Sequence, residues 1–578
     1  MPLEFIYRKV KNGLRKINMK LEHVKYKRNI KLPKNIEYFD GGLYDAIYEA
    51  SCEWGHNTAL EYGNLQVTYK ELIKKINKVA RSLKALGIEK GDRVTICMPN
   101  TPEAVYMFYA VNEVGAVASM IHPLSSEKEM ENYLNQSHSK LMLCIDIAYS
   151  RVASIIKNTE LEHVVVVSAT RSMELVIKIM YRLTKGRKNR VKKNQRTLLW
   201  DKFLLKSNDF IGNPHTRVNS DDLAVILYSG GTTGTPKGVM LSNLNFNAQA
   251  LLSKQYAPSL LVPENAFLTF LPNFHAFGLG ICTHIPLYHG MRVVLIPQFS
   301  AKKLKTYVRK YKFNILCGVP SVYEYMLKIK FGKKELKGIR AVISGGDAMT
   351  LAQKQRINEY LREHGAKVDV RVGYGLTEAS GVVAFSPTGI LDAADVIGYA
   401  FPDCEFYIQD INTKEEAPVG SDGEILISGP TVMLGYLDNE EETKATFTTI
   451  NGKKYLKTGD VGFFDDKGLL HFKARLKRII ITNGYNVYPT HVEEVISGFK
   501  AIEKCAVVGI PNEAHGETVR AYIVFKDEQD TRSNRNELQK ILKKNLAKYE
   551  IPREYRFVTN LPVTKMGKID FKALQNLE

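Results

Sequence analysis

Several features that mark common protein classes are absent from this sequence of 578 residues. None of its seven cysteines forms a C-x-x-C pair and no H-E-x-x-H is present, which argues against a zinc site and against a disulfide framework. No apolar run reaches the length of a transmembrane helix, and the N-terminus lacks the apolar core of a secretory signal. We therefore expect a cytoplasmic protein in a reducing compartment.

Positive charge is concentrated in two short segments. Residues 1–34 contain eleven Lys or Arg and two Glu, and residues 171–200 contain ten Lys or Arg and one Glu, so the two segments carry nearly all of the net charge of +20. In the first segment apolar residues recur every three or four positions from Leu3 to Leu21, as on one face of a helix. Apolar and basic faces together are typical of a helix on an anionic membrane.

We therefore expect a peripheral protein at the inner face of a membrane, with an anionic membrane surface as partner. The alternative is an apolar stripe that packs on the protein's own core and leaves a solvated basic rim. No nucleic acid is expected as a partner, because no binding module is visible and the basic segments lack interleaved stacking aromatics.

Helix and strand patterns alternate between residues 40 and 170, which predicts a helix-covered, mostly parallel sheet. Thr68 could cap a helix that continues to Leu86, and the apolar run 223–227 predicts a buried strand. Short strands separated by Gly and Asp turns follow from residue 420. Mixed strands and helices follow from residue 475, with strands predicted at 506–510 and 522–525. The predicted fold class is α/β: a large N-terminal domain with a β-rich subdomain, and a small, mobile α+β C-terminal domain. The expected divisions are a basic arm at 1–34, an adenylation domain at 35–474 with a basic insertion at about 171–200, and a C-terminal domain at 475–578.

A loop rich in glycine and threonine, Y-S-G-G-T-T-G-T-P-K-G at residues 228–238, directly follows the apolar run 223–227. Glycines allow backbone N–H groups to close around an anion, and hydroxyls and a lysine add donors and positive charge. The glycine spacing does not fit the Walker A pattern. The predicted ligands of a polyphosphate are Ser229, Gly230, Gly231, Thr232, Thr233, Gly234 and Lys237. An ordinary glycine-rich turn is the alternative.

Further motifs follow this loop in a fixed order. They are F-H-A-F-G (274–278), S-G-G-D (344–347), G-Y-G-L-T-E (373–378), T-G-D (458–460), R-L-K-R (475–478), G-Y-N-V-Y-P (484–489) and P-V-T-K-M-G-K-I (562–569). With the phosphate loop, they resemble the acyl-adenylate-forming (AMP-binding) superfamily, most closely its fatty acyl-CoA synthetases. The resemblance covers roughly residues 40–578 and leaves out the insertion at 171–200, and the order of so many motifs makes a chance match untenable.

The resemblance implies a role for each matching residue. Lys568, Thr232, Glu378 and His275 would be catalytic, with Glu378 as the Mg²⁺ ligand and His275 at the acyl pocket. The nucleotide would contact Gly345, Gly346, Tyr374, Gly375, Thr377, Asp460 and Arg475. Lys477 would be the hinge of the C-terminal domain, and Gly484 would line the pantetheine tunnel. The family often has a small residue where this chain has Asp347.

The resemblance also implies a reaction that uses ATP, Mg²⁺ and CoA. A carboxylic acid would be activated to acyl-AMP and then transferred to CoA, with release of pyrophosphate and AMP. A medium- or long-chain fatty acid is the expected substrate, because membrane-binding segments suit an acid that partitions into lipid. Two alternatives remain open: a ligase that loads an acyl carrier protein, and an inactive membrane-bound scaffold.

Overall fold

The computed structural model describes residues 36–172, 191, 195–229, 236–386, 395–482, 485–512, 516–564 and 568–577. The predicted amphipathic arm, most of the basic insertion, residues 230–235 of the phosphate loop and Gly484 lie outside these ranges. No helix in the described part of the chain combines the length and apolarity needed to cross a bilayer.

Strands and helices alternate through the first half of the chain, as the sequence predicts. The strands up to residue 242 are β1 (Thr58–Tyr62), β2 (Leu65–Thr68), β3 (Arg93–Cys97), β4 (Val117–Met120), β5 (Ser139–Ile145), β6 (His163–Val167), β7 (Thr197–Leu199), β8 (Leu223–Ser229) and β9 (Lys237–Ser242). The helices up to residue 256 are α1 (Leu43–Trp54), α2 (Tyr69–Ala85), α3 (Pro102–Glu113), α4 (Glu127–Ser137), α5 (Asp146–Ile155), α6 (Trp200–Leu205) and α7 (Asn243–Tyr256).

The middle of the chain adds further strands and shorter helices. The strands are β10 (Ala266–Thr269), β11 (Arg292–Leu295), β12 (Ile315–Gly318), β13 (Ala341–Gly345), β14 (Val370–Leu376), β15 (Gly381–Phe385), β16 (Val396–Ala400), β17 (Glu405–Gln409), β18 (Gly423–Ser428), β19 (Gly435–Tyr436), β20 (Phe447–Ile450), β21 (Lys453–Phe464) and β22 (Leu470–Arg475). The helices are α8 (Ile285–Tyr288), α9 (Leu304–Tyr311), α10 (Pro320–Met326), α11 (Leu351–Glu363) and α12 (Glu440–Thr446), with a π-helix at Phe277–His284.

These strands form two large sheets. One has the order β19-β9-β8-β4-β3-β5-β6-β7 and is parallel from β8 to β7. The other is parallel at β1, β11, β10, β12, β13 and β14, and it continues through β15, β16, β22, β21, β18 and β17 as an antiparallel region. Helix α3 is buried along its whole length, as a helix sandwiched between layers must be. This is the predicted helix-covered architecture with a β-rich region.

Local sequence explains where the helices begin. The predicted cap at Thr68 is present: its backbone N–H donates to Glu71 Oε2 (2.9 Å), and its hydroxyl accepts from the Glu71 N–H (3.3 Å). This capping box satisfies two donors that the first turn of α2 would otherwise leave without partners. The prediction placed the end of this helix at Leu86, and the structure ends it at Ala85.

Residues after 475 form a separate sheet and core. The elements are β23 (Ile480–Thr482), β24 (Tyr485–Val487), α13 (Pro489–Ser497), β25 (Ile502–Asn512), β26 (Gly516–Phe525), α14 (Arg532–Asn545), β27 (Glu554–Phe557) and α15 (Phe571–Gln575). The sheet order is β24-β23-β26-β25, with β27 parallel to β26. The strands predicted at 506–510 and 522–525 are longer than expected, because β25 and β26 pair over ten positions. The fold class prediction is confirmed.

Candidate active site

The site lies where several parallel strands end. Strands β13 and β14 are parallel neighbours, and Gly345 pairs with Gly373 near their carboxyl ends. Ligands of open α/β sheets bind outside the carboxyl ends of the strands, where loops leave the sheet. Because their strands are paired, the S-G-G-D and Y-G-L-T-E motifs lie side by side at this edge, although about thirty residues separate them in sequence.

The carboxylate of Glu378 joins the two large sheets. Its Oε1 accepts hydrogen bonds from Ser229 Oγ, at the end of β8, and from the Tyr436 hydroxyl of β19, each at 3.1 Å. Ser229 is the second residue of the phosphate loop (228–238), so that loop begins beside the predicted Mg²⁺ ligand. The sequence analysis did not find the role of Tyr436, because no local pattern links it to a residue 58 positions away.

Thr377 and Glu378 follow β14 in a 3₁₀ turn, Thr377–Ala379. Gly375, just before the turn, lies so close to β15 that a Cβ built on it would be 1.4 Å from the Gly381 carbonyl oxygen. Only glycine fits there, which explains the second glycine of the G-Y-G-L-T-E motif. This close approach of β14 to β15 fixes the direction in which the chain leaves β14, and thereby the positions of the Thr377 and Glu378 side chains.

Asp460 is a buried carboxylate, 1% exposed, at the centre of the second half of the site. Its Oδ2 accepts a hydrogen bond of 2.6 Å from the Tyr374 hydroxyl, and its Oδ1 lies 2.9 Å from Arg475 Nε. The geometry of the Arg475 contact is an ion pair without a directed hydrogen bond, and Oδ1 accepts no hydrogen bond within the described residues.

Burial is the main cause that raises the pKa of Asp460, and the Arg475 guanidinium opposes that shift. A buried carboxylate oxygen that lacks a donor is costly for the folded protein, so a ligand donor is the natural partner. A ribose hydroxyl fits this requirement. The structure also gives Tyr374 a role that the sequence analysis did not assign, because its hydroxyl orients Asp460.

The F-H-A-F-G motif contributes to the same cleft. A Cβ on Gly345 would be 3.1 Å from the Phe277 ring, so the glycine allows the ring to pack directly on the S-G-G-D loop. This loop, residues 344–347, is called the adenine loop below, after the role that the family resemblance implies. Phe277 begins the π-helix Phe277–His284, a rare conformation that is frequent at functional sites. His275 is half-buried, and burial, the charge of Lys568 and His122 lower its pKa to about 4. His275 is therefore neutral at pH 7.

Lys568 reaches this cleft from the C-terminal domain. Gly346 has a φ of +79°, and a Cβ built on it would lie 3.8 Å from Lys568 Nζ. Burial lowers the pKa of Lys568, the Asp347 carboxylate acts in the opposite direction, and Arg475 lowers the pKa further. The structure thus brings Lys568, Gly346 and His275 together, as a catalytic lysine at the adenine loop requires.

Lys237 contacts an acidic side chain and an aromatic ring at the far end of the phosphate loop. Its ammonium pairs with Glu442 and lies 5.1 Å from the centre of the Tyr436 ring. These contacts tie β9 to α12 and β19. That Lys237 binds phosphate stays a prediction, as do the roles of Gly230, Gly231, Thr232, Thr233, Gly234 and Gly484, which lie outside the described residues.

The remaining predicted residues lie at the junction of the two domains. Asp460 pairs with Arg475 across β21 and β22, and the 3₁₀ turn Leu476–Arg478, which includes Lys477, follows at once. No group of three or more His, Cys, Asp or Glu side chains suited to a metal is present in the described part of the chain. One carboxylate, Glu378, suits Mg²⁺, which normally binds one or two carboxylates together with substrate phosphates.

Comparisons with known proteins identify the family. The protein-family model described as AMP-binding enzyme matches residues 48–437. The family model described as AMP-binding enzyme C-terminal domain matches residues 491–568. The chain is 28% identical to a long-chain-fatty-acid–CoA ligase of Bacillus subtilis, over 93% of this chain and 95% of the relative. It is 30% identical to a feruloyl-CoA synthase of an Amycolatopsis species, over 89% and 94%.

The fold agrees with these sequence matches. The crystal structure of ATP-bound MatB from Rhodopseudomonas palustris superposes with a TM-score of 0.79 and 25% identity, over 93% of this chain and 98% of that one. The predicted family, enzyme class and cofactors are confirmed. The chain belongs to the family of AMP-binding enzymes and is an AMP-forming acid–CoA ligase that uses ATP, Mg²⁺ and CoA.

Proposed function

We propose that this protein activates a medium- or long-chain fatty acid through acyl-AMP and transfers the acyl group to CoA. The observation that carries the first step is the position of Lys568, whose ammonium lies against Gly346 and close enough to His275 to lower its pKa. In the proposed mechanism this ammonium is the positive charge at the point where the acid and the α-phosphate meet. The catalytic roles of Lys568, Glu378, His275 and Thr232 are part of the proposal.

In the first step the carboxylate of the acid attacks the α-phosphorus of ATP, and pyrophosphate leaves with the electrons of the broken P–O bond. Lys568 stabilises the negative charge that gathers on the α-phosphate oxygens. Asp460, oriented by Tyr374, holds the ribose and thereby fixes the direction of attack. Glu378 would hold Mg²⁺, which neutralises phosphate charge, and Thr377 and the loop at 230–235 would donate hydrogen bonds to the phosphates.

In the second step the CoA thiol attacks the acyl carbonyl carbon, and AMP leaves. We propose that residues 475–578 act as a domain that turns about Lys477 between the steps. This motion would withdraw Lys568 and bring Gly484 to the site. A few junction residues that absorb a large backbone change are the usual form of such a hinge.

Two features support a fatty acid as the substrate. The Bacillus subtilis relative is named for long-chain fatty acids, and the residues around the F-H-A-F-G motif are apolar, with Phe274 and Leu279 buried. The feruloyl-CoA relative makes an aromatic acid the main rival. The test is mass spectrometry of the products formed from ATP, Mg²⁺, CoA and an equimolar panel of C4 to C18 fatty acids and cinnamic-type acids. Acyl-CoA formed mainly from acids of C8 or longer supports the proposal, and preferential use of the aromatic acids contradicts it. Acyl-AMP that accumulates whether or not CoA is present would instead indicate a carrier-protein ligase.

We also propose an anionic membrane as a partner. Beside the insertion, Leu205 and Ile211 are 61% and 94% exposed. The segment that contains them is tied to α2, because Arg81 donates hydrogen bonds to the carbonyl oxygens of Ser207, Phe210 and Gly212. Exposed lysines at positions 70, 74 and 78 of α2 continue the same surface. Exposed aliphatic side chains next to a row of lysines suit a bilayer with acidic headgroups.

The membrane proposal is tested with the full chain and vesicles that contain phosphatidylglycerol. At moderate salt, Lys74→Glu/Lys78→Glu should sediment at least several-fold less with these vesicles, because each basic residue near the surface contributes about 1 kcal/mol. Lys302→Glu/Lys303→Glu makes the same charge change before α9 and is the matched control. Equal sedimentation of both double variants and the native chain would contradict the role of this surface.

A further inference from the structure

A contact between the two domains lies beside the adenine loop and outside all of the recognised motifs. The backbone N–H of Leu351, the first residue of α11, donates a hydrogen bond of 2.9 Å to Glu494 Oε1 on α13. The two residues are 143 positions apart, one in each domain. A carboxylate at the N-terminus of a helix of thirteen residues also interacts favourably with the helix dipole.

A buried lysine near the start of α11 acts electrostatically on the same carboxylate. Lys354 lies one turn into α11 and is 5% exposed. Burial lowers the pKa of Lys354, while Glu494 and Asp395 act in the opposite direction. In return, Lys354 and the Leu351 N–H oppose the rise that burial causes in the pKa of Glu494. Glu494 thus accepts a hydrogen bond from one N–H group of the N-terminal domain and interacts electrostatically with a buried ammonium of the same domain.

The neighbouring glutamate does not make this connection. Glu493 accepts hydrogen bonds from Arg478 and from the backbone N–H of Val507, both within the C-terminal domain. Glu493 therefore holds its own domain together, whereas Glu494 docks that domain on the segment that leads from β13 to α11. Gly346, against which Lys568 lies, is five residues before Leu351 on the same segment.

We propose that Glu494 is a positioning residue that holds the C-terminal domain in the adenylating arrangement, with Lys568 in the site. The contact must break when the domain turns for thioester formation, so its strength sets the balance between the two half-reactions. The proposal rests on the two-step function proposed above. It concerns a contact that the chemistry itself does not use.

The test measures both half-reactions separately in the full chain. Acyl-AMP formation is followed by pyrophosphate release without CoA, and thioester formation is followed from supplied acyl-AMP and CoA. Glu494→Ala removes the hydrogen bond from Leu351 and the negative charge, and it should slow acyl-AMP formation about tenfold or more, as expected for a lost hydrogen bond to a charged group. Glu494→Gln keeps an acceptor for the Leu351 N–H and should give a smaller loss. Thioester formation should be unchanged or faster in both variants.

Two further variants separate positioning from general stability. Lys328→Ala removes an exposed ion pair of 3.1 Å between the domains, Lys328 with Glu503, and should leave both rates within about twofold of the native values. Lys354→Met should slow acyl-AMP formation relative to thioester formation, as Glu494→Gln does. The combined variant Lys354→Met/Glu494→Gln should lose less activation free energy for acyl-AMP formation than the sum of the two single losses.

The outcomes distinguish this proposal from the proposed function. If the native protein forms no acyl-AMP from any acid, the proposed function fails, and this proposal fails with it. If the native protein performs both steps but Glu494→Ala slows them equally or not at all, only the role of Glu494 is refuted. If Glu494→Ala does not fold, Glu494→Gln decides by the same criterion, since it preserves volume and the hydrogen bond.

Discussion

Replacement of Asp460 by asparagine should separate ATP binding from folding. In the native protein the Asp460 carboxylate is almost fully buried, receives the Tyr374 hydroxyl and leaves Oδ1 without a hydrogen bond within the described residues. The asparagine side chain would keep the shape but lose the charge that makes hydrogen bonds from ribose hydroxyls strong. Hydrogen bonds to charged groups contribute about 1.5–3 kcal/mol each, so a loss of about 2–4 kcal/mol is expected. This corresponds to ATP binding weakened between about 30-fold and about 700-fold.

The stability of the protein without ligand should respond in a different way. Burial disfavours the Asp460 carboxylate, so the substitution removes that cost, and it also removes the ion pair with Arg475. The Arg475 side chain is 52% exposed, so solvent screening keeps the contribution of this ion pair to the free energy of unfolding small. We therefore expect the free energy of unfolding to change by no more than about 1 kcal/mol.

The assay combines isothermal titration calorimetry of Mg-ATP with urea unfolding of the ligand-free protein. Tyr374→Phe is the matched control: it removes only the hydroxyl that orients Asp460, and it should weaken ATP binding by about tenfold or less. ATP affinity of Asp460→Asn within about threefold of the native value would refute the ribose assignment. A large loss of stability together with the loss of binding would refute the claim that the two effects are separate.

Three other changes test further parts of the structure. Glu378→Gln should raise the Mg²⁺ concentration for half-maximal acyl-AMP formation by about tenfold or more at saturating ATP, and an unchanged Mg²⁺ requirement would place the metal elsewhere. Gly375→Ala should destabilise the protein by about 3 kcal/mol or more in urea unfolding, because its Cβ would overlap the Gly381 carbonyl, and native-like stability would show that the strand can shift. His284 is fully buried between Tyr109 and Asn247, and its pKa is lowered to about 3. The pKa of His284 is lower in the folded protein than in the unfolded chain, so protons bind the unfolded chain preferentially between these two values. The free energy of unfolding therefore has its full value, as far as His284 is concerned, above about pH 6.5 and decreases as the pH falls toward 3. The slope of unfolding free energy against pH should therefore flatten in His284→Gln, and an identical slope would contradict the assignment.

The fold class could be predicted from the sequence, and several motifs found there lie close together in the structure. Alternating strands and helices predicted parallel sheets, and several motifs directly follow strands whose carboxyl ends the structure places side by side. Local signals also worked: the cap at Thr68 and the strand at 223–227 occur as expected. These features could be found because periodicity and capping depend on residues close in sequence.

Contacts across the fold could not be predicted in this way. The bond from Tyr436 to Glu378, the pairing of Lys237 with Glu442 and the docking of Glu494 on Leu351 join residues from 58 to 205 positions apart. A single sequence contains no periodic signal for such pairs. The phosphate loop was the strongest motif, yet its residues 230–235 lie outside the described structure, so its role rests on the family.

The most direct test of the central claim is the split between half-reactions in Lys568→Ala. In the proposed mechanism the Lys568 ammonium lies at the adenine loop during acyl-AMP formation and is withdrawn for thioester formation. Pyrophosphate release from ATP and a fatty acid should therefore fall by at least about a hundredfold, while supplied acyl-AMP and CoA should still yield acyl-CoA at a rate within a few-fold of the native rate. Equal loss of both half-reactions in a folded variant, or native acyl-AMP formation, would contradict it.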